Sequence, residues 1–178
     1  SLFLIDGHAL AYRSYFAFIK NPLVNSKGEE TSAVFGFIKT ILNILDRHEP
    51  THVAVAFDSP EKTFRNDIYA EYKANRPEMP ESLVAQFPRI FEVLEAMNIP
   101  SIALPGYEAD DIIATLSRRI ENDVPVRIVS GDKDLLQLVS EQTHLLRPGK
   151  GGLLDNEVDP AELARTMGLT PGQFVDYQ

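Results

Sequence analysis

Three aspartates follow directly on short apolar runs. Asp6 follows Leu2-Phe3-Leu4-Ile5, Asp58 follows His52-Val53-Ala54-Val55-Ala56-Phe57, and Asp132 follows Val126-Arg127-Ile128-Val129-Ser130 and Gly131. Asp134 comes two residues later, and Glu108, Asp110 and Asp111 open a helical pattern. Any one of these suits a structural role, as a turn residue, an N-cap or an acid in a first helical turn. Gathered at one place, seven carboxylates would repel strongly in a low-dielectric cleft and would need cations. The chain has no cysteine and no H-E-x-x-H pairing of histidines. All-oxygen ligation then selects Mg²⁺ or Mn²⁺ over zinc. Carboxylate-bound Mg²⁺ suits phosphoryl chemistry, one ion activating water and a second stabilising the leaving oxygen. A kinase-like reaction would also need a nucleotide loop. Pro148-Gly149-Lys150-Gly151-Gly152 lacks the G-x-x-x-x-G-K-[ST] spacing of one. Hydrolysis of a phosphodiester needs only the metals and a way to hold phosphates.

Residues 59–80 could hold them. The segment has little apolar periodicity, and it carries Lys62, Arg65, Lys73 and Arg76 with Tyr69 and Tyr72. Lys73 and Arg76 are three apart, as are Tyr69 and Tyr72, so each pair would share a helix face. Basic residues interleaved with aromatics match a surface that pairs with phosphates and stacks on bases. The structural alternative, a solvated face with tyrosines at the core edge, fits Lys62 and Tyr69. It fits residues 73–76 less well, because no apolar stripe there makes a packing helix.

The elements that must position these groups can be read from the apolar pattern. Three strands end at Asp6, Asp58 and Asp132, and Ser101-Ile102-Ala103-Leu104 is a weaker fourth. Residues 32–48 read as a helix, with Val34, Phe35, Ile38, Ile41, Leu42 and Leu45 at helical spacing. Residues 83–97 read as one helix with Leu83, Phe87, Ile90, Phe91 and Leu94 on a stripe, and residues 108–120 as another with Ile112, Ile113, Leu116 and Ile120. Shorter helices are expected over 133–139 and 160–167, the second N-capped by Asp159 with Pro160 at its first position. Residues 148–152 read as the turn of a hairpin. Apolar strands alternating with helices imply an α/β fold with a mainly parallel sheet covered on both faces. In such a sheet the carboxyl ends of the strands share one edge, where ligands bind.

Composition bounds the rest. The 178 residues are 44% hydrophobic and 24% charged, enough for one domain with a sizeable core. No apolar run approaches the roughly 20 residues of a membrane helix. The opening residues are too short and too acidic a stretch for a signal peptide. With no cysteine there is no disulfide framework, and a cytoplasmic protein is expected. The formal charge of −9 argues at first against a nucleic-acid binder. The seven carboxylates account for most of it.

The same residues resemble a known family. Leu4-Ile5-Asp6-Gly7 with Ala11-Tyr12-Arg13 looks like the start of the 5′-nuclease (5′-3′ exonuclease) domain of bacterial DNA polymerase I and related flap endonucleases. Phe57-Asp58, Lys62-Thr63-Phe64-Arg65 and Tyr72-Lys73-Ala74-Asn75-Arg76-Pro77 are similar to its second carboxylate and helical arch. Gly106-Tyr107-Glu108-Ala109-Asp110-Asp111 and Ser130-Gly131-Asp132-Lys133-Asp134 resemble its other metal motifs. The match runs in order over nearly the whole chain.

The resemblance implies a PIN-like, resolvase-like three-layer fold with an arch insertion at about 59–80. It implies a two-metal hydrolase using Mg²⁺ or Mn²⁺, with Asp6, Asp58, Glu108, Asp110, Asp111, Asp132 and Asp134 as metal-site carboxylates. Lys73 and Arg76 would engage the scissile phosphate as catalytic residues. Tyr12 would stack on a base beside the cut, Arg65 would sit at the arch base, and Arg13 and Tyr72 would join them in binding DNA. The expected substrate is DNA with a 5′ end or 5′ flap, RNA primers included, and the expected role is replication and repair. A monomer is expected, with a polymerase as a possible fusion partner on a longer chain. The family continues into a G-D-x-x-D-N motif and a helix-hairpin-helix-like element. The sequence ends at Gln178 with neither, so this span is expected to hold the metal-site core and arch, with weak or no activity by itself and one of two metal sites. Two other functions stay open at this point: a PIN-type ribonuclease, which would lack the arch, and a non-catalytic nucleic-acid-binding module. A small-molecule phosphatase has no substrate-pocket signature here.

Overall fold

Side chains alternate across the first strand. Phe3 and Ile5 enter one apolar cluster, and Leu2 and Leu4 enter a second on the opposite face. A strand buried on both faces must lie inside a sheet covered on both sides. The computed structural model bears this out. It describes residues 1–61, 63–69, 78–154 and 156–177. In chain order the elements are β1 (Leu2–Asp6), α1 (Gly7–Ala17), α2 (Ser32–His48), β2 (His52–Ala56), α3 (Phe64–Ile68), α4 (Glu81–Val84), α5 (Phe87–Ala96), β3 (Ser101–Ile102), α6 (Ala109–Ile120), β4 (Val126–Val129), β5 (Thr143–Arg147), β6 (Asn156–Val158), α7 (Pro160–Met167) and α8 (Pro171–Tyr177), with a 3-10 turn at Asp134–Leu138 between β4 and β5. The sheet order is β3-β2-β1-β4-β5-β6. All pairings are parallel except β5 with β6, which form the hairpin expected around residues 148–152.

The chain builds outward from β1 in one direction through β2 and β3, then returns to place β4 on its other side. That reversal makes the crevice beside β1 the topological switch point, where open α/β sheets bind ligands. Helices α1, α2, α4 and α5 cover one face, with Leu10, Phe37, Ile41, Ile44, Leu83, Ile90 and Leu94 in the core. α6, α7, α8 and the 3-10 turn cover the other, with Ile112, Ile113, Leu136, Leu163 and Phe174. This is the three-layer architecture.

Several local expectations need correction. α2 spans the expected residues, and of the expected stripe Ile41 is buried and Val34 and Ile38 pack half-buried against the core, but the buried stripe is centred on Ala33, Phe37, Ile41 and Ile44 with Ser32 and Thr40. Phe35, Leu42 and Leu45 are exposed. Apolar residues extend beyond one face of this helix, so the pattern alone fits more than one phase, and packing against α1 selects one. Gly36 sets that contact: a Cβ there would lie 2.8 Å from Ser14 Cβ. The single helix expected over 83–97 is two helices. Pro88 has no N–H to donate and its ring clashes with the carbonyl four residues earlier, so α5 starts anew with the proline in its first turn, and Phe91 is exposed. Gln86, at the break, is buried. Its Oε1 accepts from the N–H groups of Ala33 (2.8 Å) and Val34 (3.3 Å), and its Nε2 donates to Ser82 O at 2.9 Å. It thereby caps α2 from another part of the chain, because the residue preceding α2, Thr31, makes no side-chain cap bond. The expected helix over 133–139 is a 3-10 turn, and α1 and α8 were not anticipated. Among the described residues no helix is long and apolar enough to cross a membrane.

Candidate active site

Because β2, β1 and β4 are parallel neighbours, their carboxyl ends deliver Asp6, Asp58 and Asp132 to one edge of the sheet. α6 aims its N-terminus at the same edge and adds Glu108 and Asp110. These five carboxylates line a cleft of about 330 Å³ together with His8, Ala9, Tyr12, Met79 and Ala109. A larger cavity of about 780 Å³ lies between α1, α2 and the glycine-rich loop, lined by Arg13, Phe16, Lys39 and Gly152 among others. It holds no carboxylate, so the acid chemistry belongs to the smaller cleft.

Three of the cleft carboxylates are held by defined partners. Asp6 is buried and N-caps α1: its Oδ1 accepts from Ala9 N–H at 3.0 Å, and its Oδ2 accepts from the Ser130 hydroxyl at 2.8 Å. Ser130 Oγ in turn accepts from Asp132 N–H at 3.0 Å, and Asp132 Oδ1 accepts from Asp134 N–H at 2.9 Å. Asp58 Oδ1 accepts from Ala109 N–H, in the first turn of α6, at 2.8 Å. The positive end of the α6 dipole thus faces the acids. His8 Nδ1 accepts from Asp58 N–H at 3.1 Å, which leaves Nε2 as the protonated nitrogen of the neutral ring. The ring is wedged against Phe57 and Phe87.

Crowding is legible in the proton affinities. Burial pushes the Asp110 carboxyl up to about 7, and Asp6, Asp132, Asp58 and Glu108 add to the shift in that order. Burial also raises Asp6, against the opposing effect of its hydrogen bonds to Ala9 and Ser130. At Asp110 the like charges of its neighbours add to burial in favouring the protonated form.

The remaining expected residues divide. Asp111, adjacent to Asp110, is not among the residues lining the cleft; it accepts a two-pronged contact from Arg65, Nη1 and Nη2 each at 2.8 Å. Asp134 is exposed and likewise does not line the cleft. Tyr12 lines the cleft, while Arg13 faces the larger cavity. Lys62, Tyr72, Lys73 and Arg76 lie outside the described residues. Among the described residues no three His, Asp or Glu side chains stand ready to hold one ion as placed. His8, Ser130 and Met79 were not anticipated at the cleft. The only sequence signal for the first two was proximity to Asp6 and Asp132.

Residues 1–168 match the family described as "5′-3′ exonuclease, N-terminal resolvase-like domain". The chain belongs to this family. It is 46% identical over 181 residues to the DNA polymerase I of Chloroflexus aurantiacus, covering 99% of this chain and 19% of that protein. It is 41% identical over 179 residues to a 5′-3′ exonuclease of Aquifex aeolicus, covering 99% of this chain and 60% of that one. The chain therefore spans about a fifth of the polymerase and three fifths of the exonuclease. Its fold matches the bacteriophage T5 D15 flap endonuclease, a structure solved with DNA and metal ions, at a TM-score of 0.71 and 20% identity over 98% of this chain and 63% of that one. The PIN-like, resolvase-like fold implied by the sequence is thereby established.

Proposed function

We propose that this domain is the catalytic core of a divalent-metal-dependent 5′-3′ exonuclease and flap endonuclease that hydrolyses DNA phosphodiester bonds in replication and repair, with RNA-primer removal among its tasks. The observation that carries the reading is the convergence of Asp6, Asp58, Glu108, Asp110 and Asp132 on one cleft at the sheet's switch point. An all-oxygen donor set whose acids repel one another fits hard cations such as Mg²⁺ or Mn²⁺. Burial, and after it repulsion from the neighbouring acids, raises the Asp110 carboxyl, a cost that a bound cation would offset. When bound, such ions supply water activation and charge neutralisation at the phosphate.

The protein's own residues prepare that chemistry. Ser130 and Ala9 orient the two oxygens of Asp6, and the α6 N-terminus orients Asp58. His8 fixes the backbone on which Asp58 sits. Tyr12, half-exposed on α1 at the cleft wall, suits stacking on a base next to the scissile bond. Lys73 and Arg76 are proposed to hold the phosphate, with Tyr72 and Arg13 as further DNA contacts. Asp134 is proposed to contribute behind Asp132. The complete protein is proposed to hold two ions, to act as a monomer in the cytoplasm, and to exist either joined to a polymerase or alone, since relatives of both kinds match.

The test is cleavage of a 5′-flap DNA and of the matched RNA by the complete protein with Mg²⁺, with Mn²⁺ and with chelator. Flap-DNA cleavage that stops in chelator is expected. Chelator-resistant cleavage, or cleavage of RNA alone, overturns the proposal. If Asp58→Ala abolishes cleavage and spares DNA binding, a purely binding role is excluded.

A further inference from the structure

α3 is short, with Phe64 and Ile68 exposed, and nothing about five helical residues makes them stable alone. Three contacts fasten it to the turn that precedes α6 and to the first turn of α6. The Phe64 N–H donates to Gly106 O at 3.2 Å. The Phe64 ring packs on Tyr107 with centroids 5.9 Å apart. The Arg65 guanidinium lies over the Phe64 ring, 4.7 Å from its centroid, and grips both oxygens of Asp111 at 2.8 Å. The same Asp111 carboxylate accepts from the Glu108 N–H at 3.0 Å, in the manner of a capping box. Arg65 Nη1 also stands 3.9 Å from Glu108 Oε2. One guanidinium thus spans two acids of the Glu108-Ala109-Asp110-Asp111 run, while Asp110, one helical step away, lines the cleft.

We infer that Arg65 and Asp111 form a latch, a pair of positioning residues that locks α3 to the start of α6, and that Asp111 acts through Arg65 rather than as a metal ligand. This rests on the nuclease reading for its functional consequence. The latch would set where α3 lies relative to Glu108 and Asp110. A planar fork matched to a carboxylate is what such registration needs, because it fixes orientation as well as distance. Lysine keeps the charge but loses the fork.

The variants are Arg65→Lys, Arg65→Ala, Asp111→Asn, Asp111→Ala, Arg65→Ala/Asp111→Ala and Asp110→Asn, each made in the whole protein. Three readouts are taken: amide hydrogen exchange at residues 64–69, Mn²⁺ binding by titration calorimetry, and flap cleavage. The latch predicts that Arg65→Ala and Asp111→Asn each speed exchange at 64–69 by about tenfold. It predicts that Asp111→Asn leaves Mn²⁺ affinity within twofold while Asp110→Asn lowers it at least tenfold. Cleavage is expected to fall tenfold or more in kcat for Arg65→Lys, Arg65→Ala and Asp111→Ala, with the double variant no worse than the worse single one. Loss of Mn²⁺ affinity in Asp111→Asn equal to that in Asp110→Asn overturns the assignment. So does an Arg65→Lys protein with the parent's exchange and rate, or losses that multiply in the double variant. If the parent cuts nothing, the nuclease proposal fails, while exchange and Mn²⁺ binding still decide the latch.

Discussion

Ser130 donates its hydroxyl hydrogen to Asp6 Oδ2 at 2.8 Å, joining residues 124 positions apart in sequence. The bond crosses from the end of β1 to the end of β4. Both partners are buried, at 6% and 1% exposure, so water cannot replace it. Burial already raises the Asp6 carboxyl, and this bond opposes the rise. Removing it leaves an acid less willing to ionise and less fixed in orientation.

Ser130→Ala is therefore expected to weaken Mn²⁺ binding by about 10-fold or more, as losses of partners behind metal ligands commonly do. The fold should lose about 2 kcal/mol, because two hydrogen bonds go and a buried carboxyl is left short of a donor. Titration calorimetry and urea unfolding read the two effects separately. An unchanged Mn²⁺ affinity would show that Ser130 does not support the metal site.

The pH dependence of metal-free stability follows from Asp110. Its carboxyl is raised from 3.8 to about 7 in the fold. A group that holds its proton more tightly when folded contributes stability in full below its unfolded pKa and loses it as pH rises through the folded value. Stability in chelator should thus fall between about pH 4 and pH 7 and then level off, with Asp6 acting in the same direction. Divalent ions should flatten that fall, and so should Asp110→Asn. Urea unfolding at half-unit steps of pH, with chelator and with Mn²⁺, measures it. A stability that rises with pH across this window in chelator contradicts the account.

The positions of Asp6, Asp58 and Asp132 were legible because a parallel sheet has one carboxyl edge, and an acid after an apolar strand must land on it. The division between Asp110 and Asp111 was not. Neighbours on a helix point about 100° apart, and nothing in the string tells which one faces the cleft until Arg65 is seen gripping one of them. α1 was hidden for a packing reason. Its buried face is Gly7, Leu10, Ala11, Ser14 and Tyr15, which has helical spacing but little hydrophobicity. Small residues stand there because α2 approaches closely at Gly36. Gln86 was hidden because a lone glutamine in an apolar stripe looks like a solvent-facing residue. The partners that bury it are more than 50 positions away.

Gln86→Ala should cost about 2 kcal/mol, because it strands two N–H groups at the start of α2. The loss is expected in thermal and urea unfolding, with Mn²⁺ affinity unchanged at temperatures where the protein stays folded. A stability within 0.5 kcal/mol of the parent, about the scatter of an ordinary surface substitution, would mean that α2 finds other acceptors.

Gly7 ties the core to the cleft. A Cβ at this position would lie 2.3 Å from Phe57 Cε1, far inside van der Waals contact. Phe57 is buried at 2% exposure, sits between Ala56 and Asp58 in the chain, and packs edge-on against His8. Gly7 itself joins Asp6 to His8. Gly7→Ala must therefore move Phe57, the backbone of β1, or both, and either shift moves a cleft acid. Overpacking of this kind costs about 1–3 kcal/mol, and Mn²⁺ affinity should fall with it. Phe57→Leu alone should also destabilise, by loss of buried ring contacts. Combined with Gly7→Ala, it removes the atoms that clash, so the double variant should be more stable than the sum of the single losses implies. The coupling is read from urea unfolding of the four proteins in the cycle. Strict additivity would mean that the methyl group is accommodated without displacing Phe57, and the steric link between core and cleft would then be wrong.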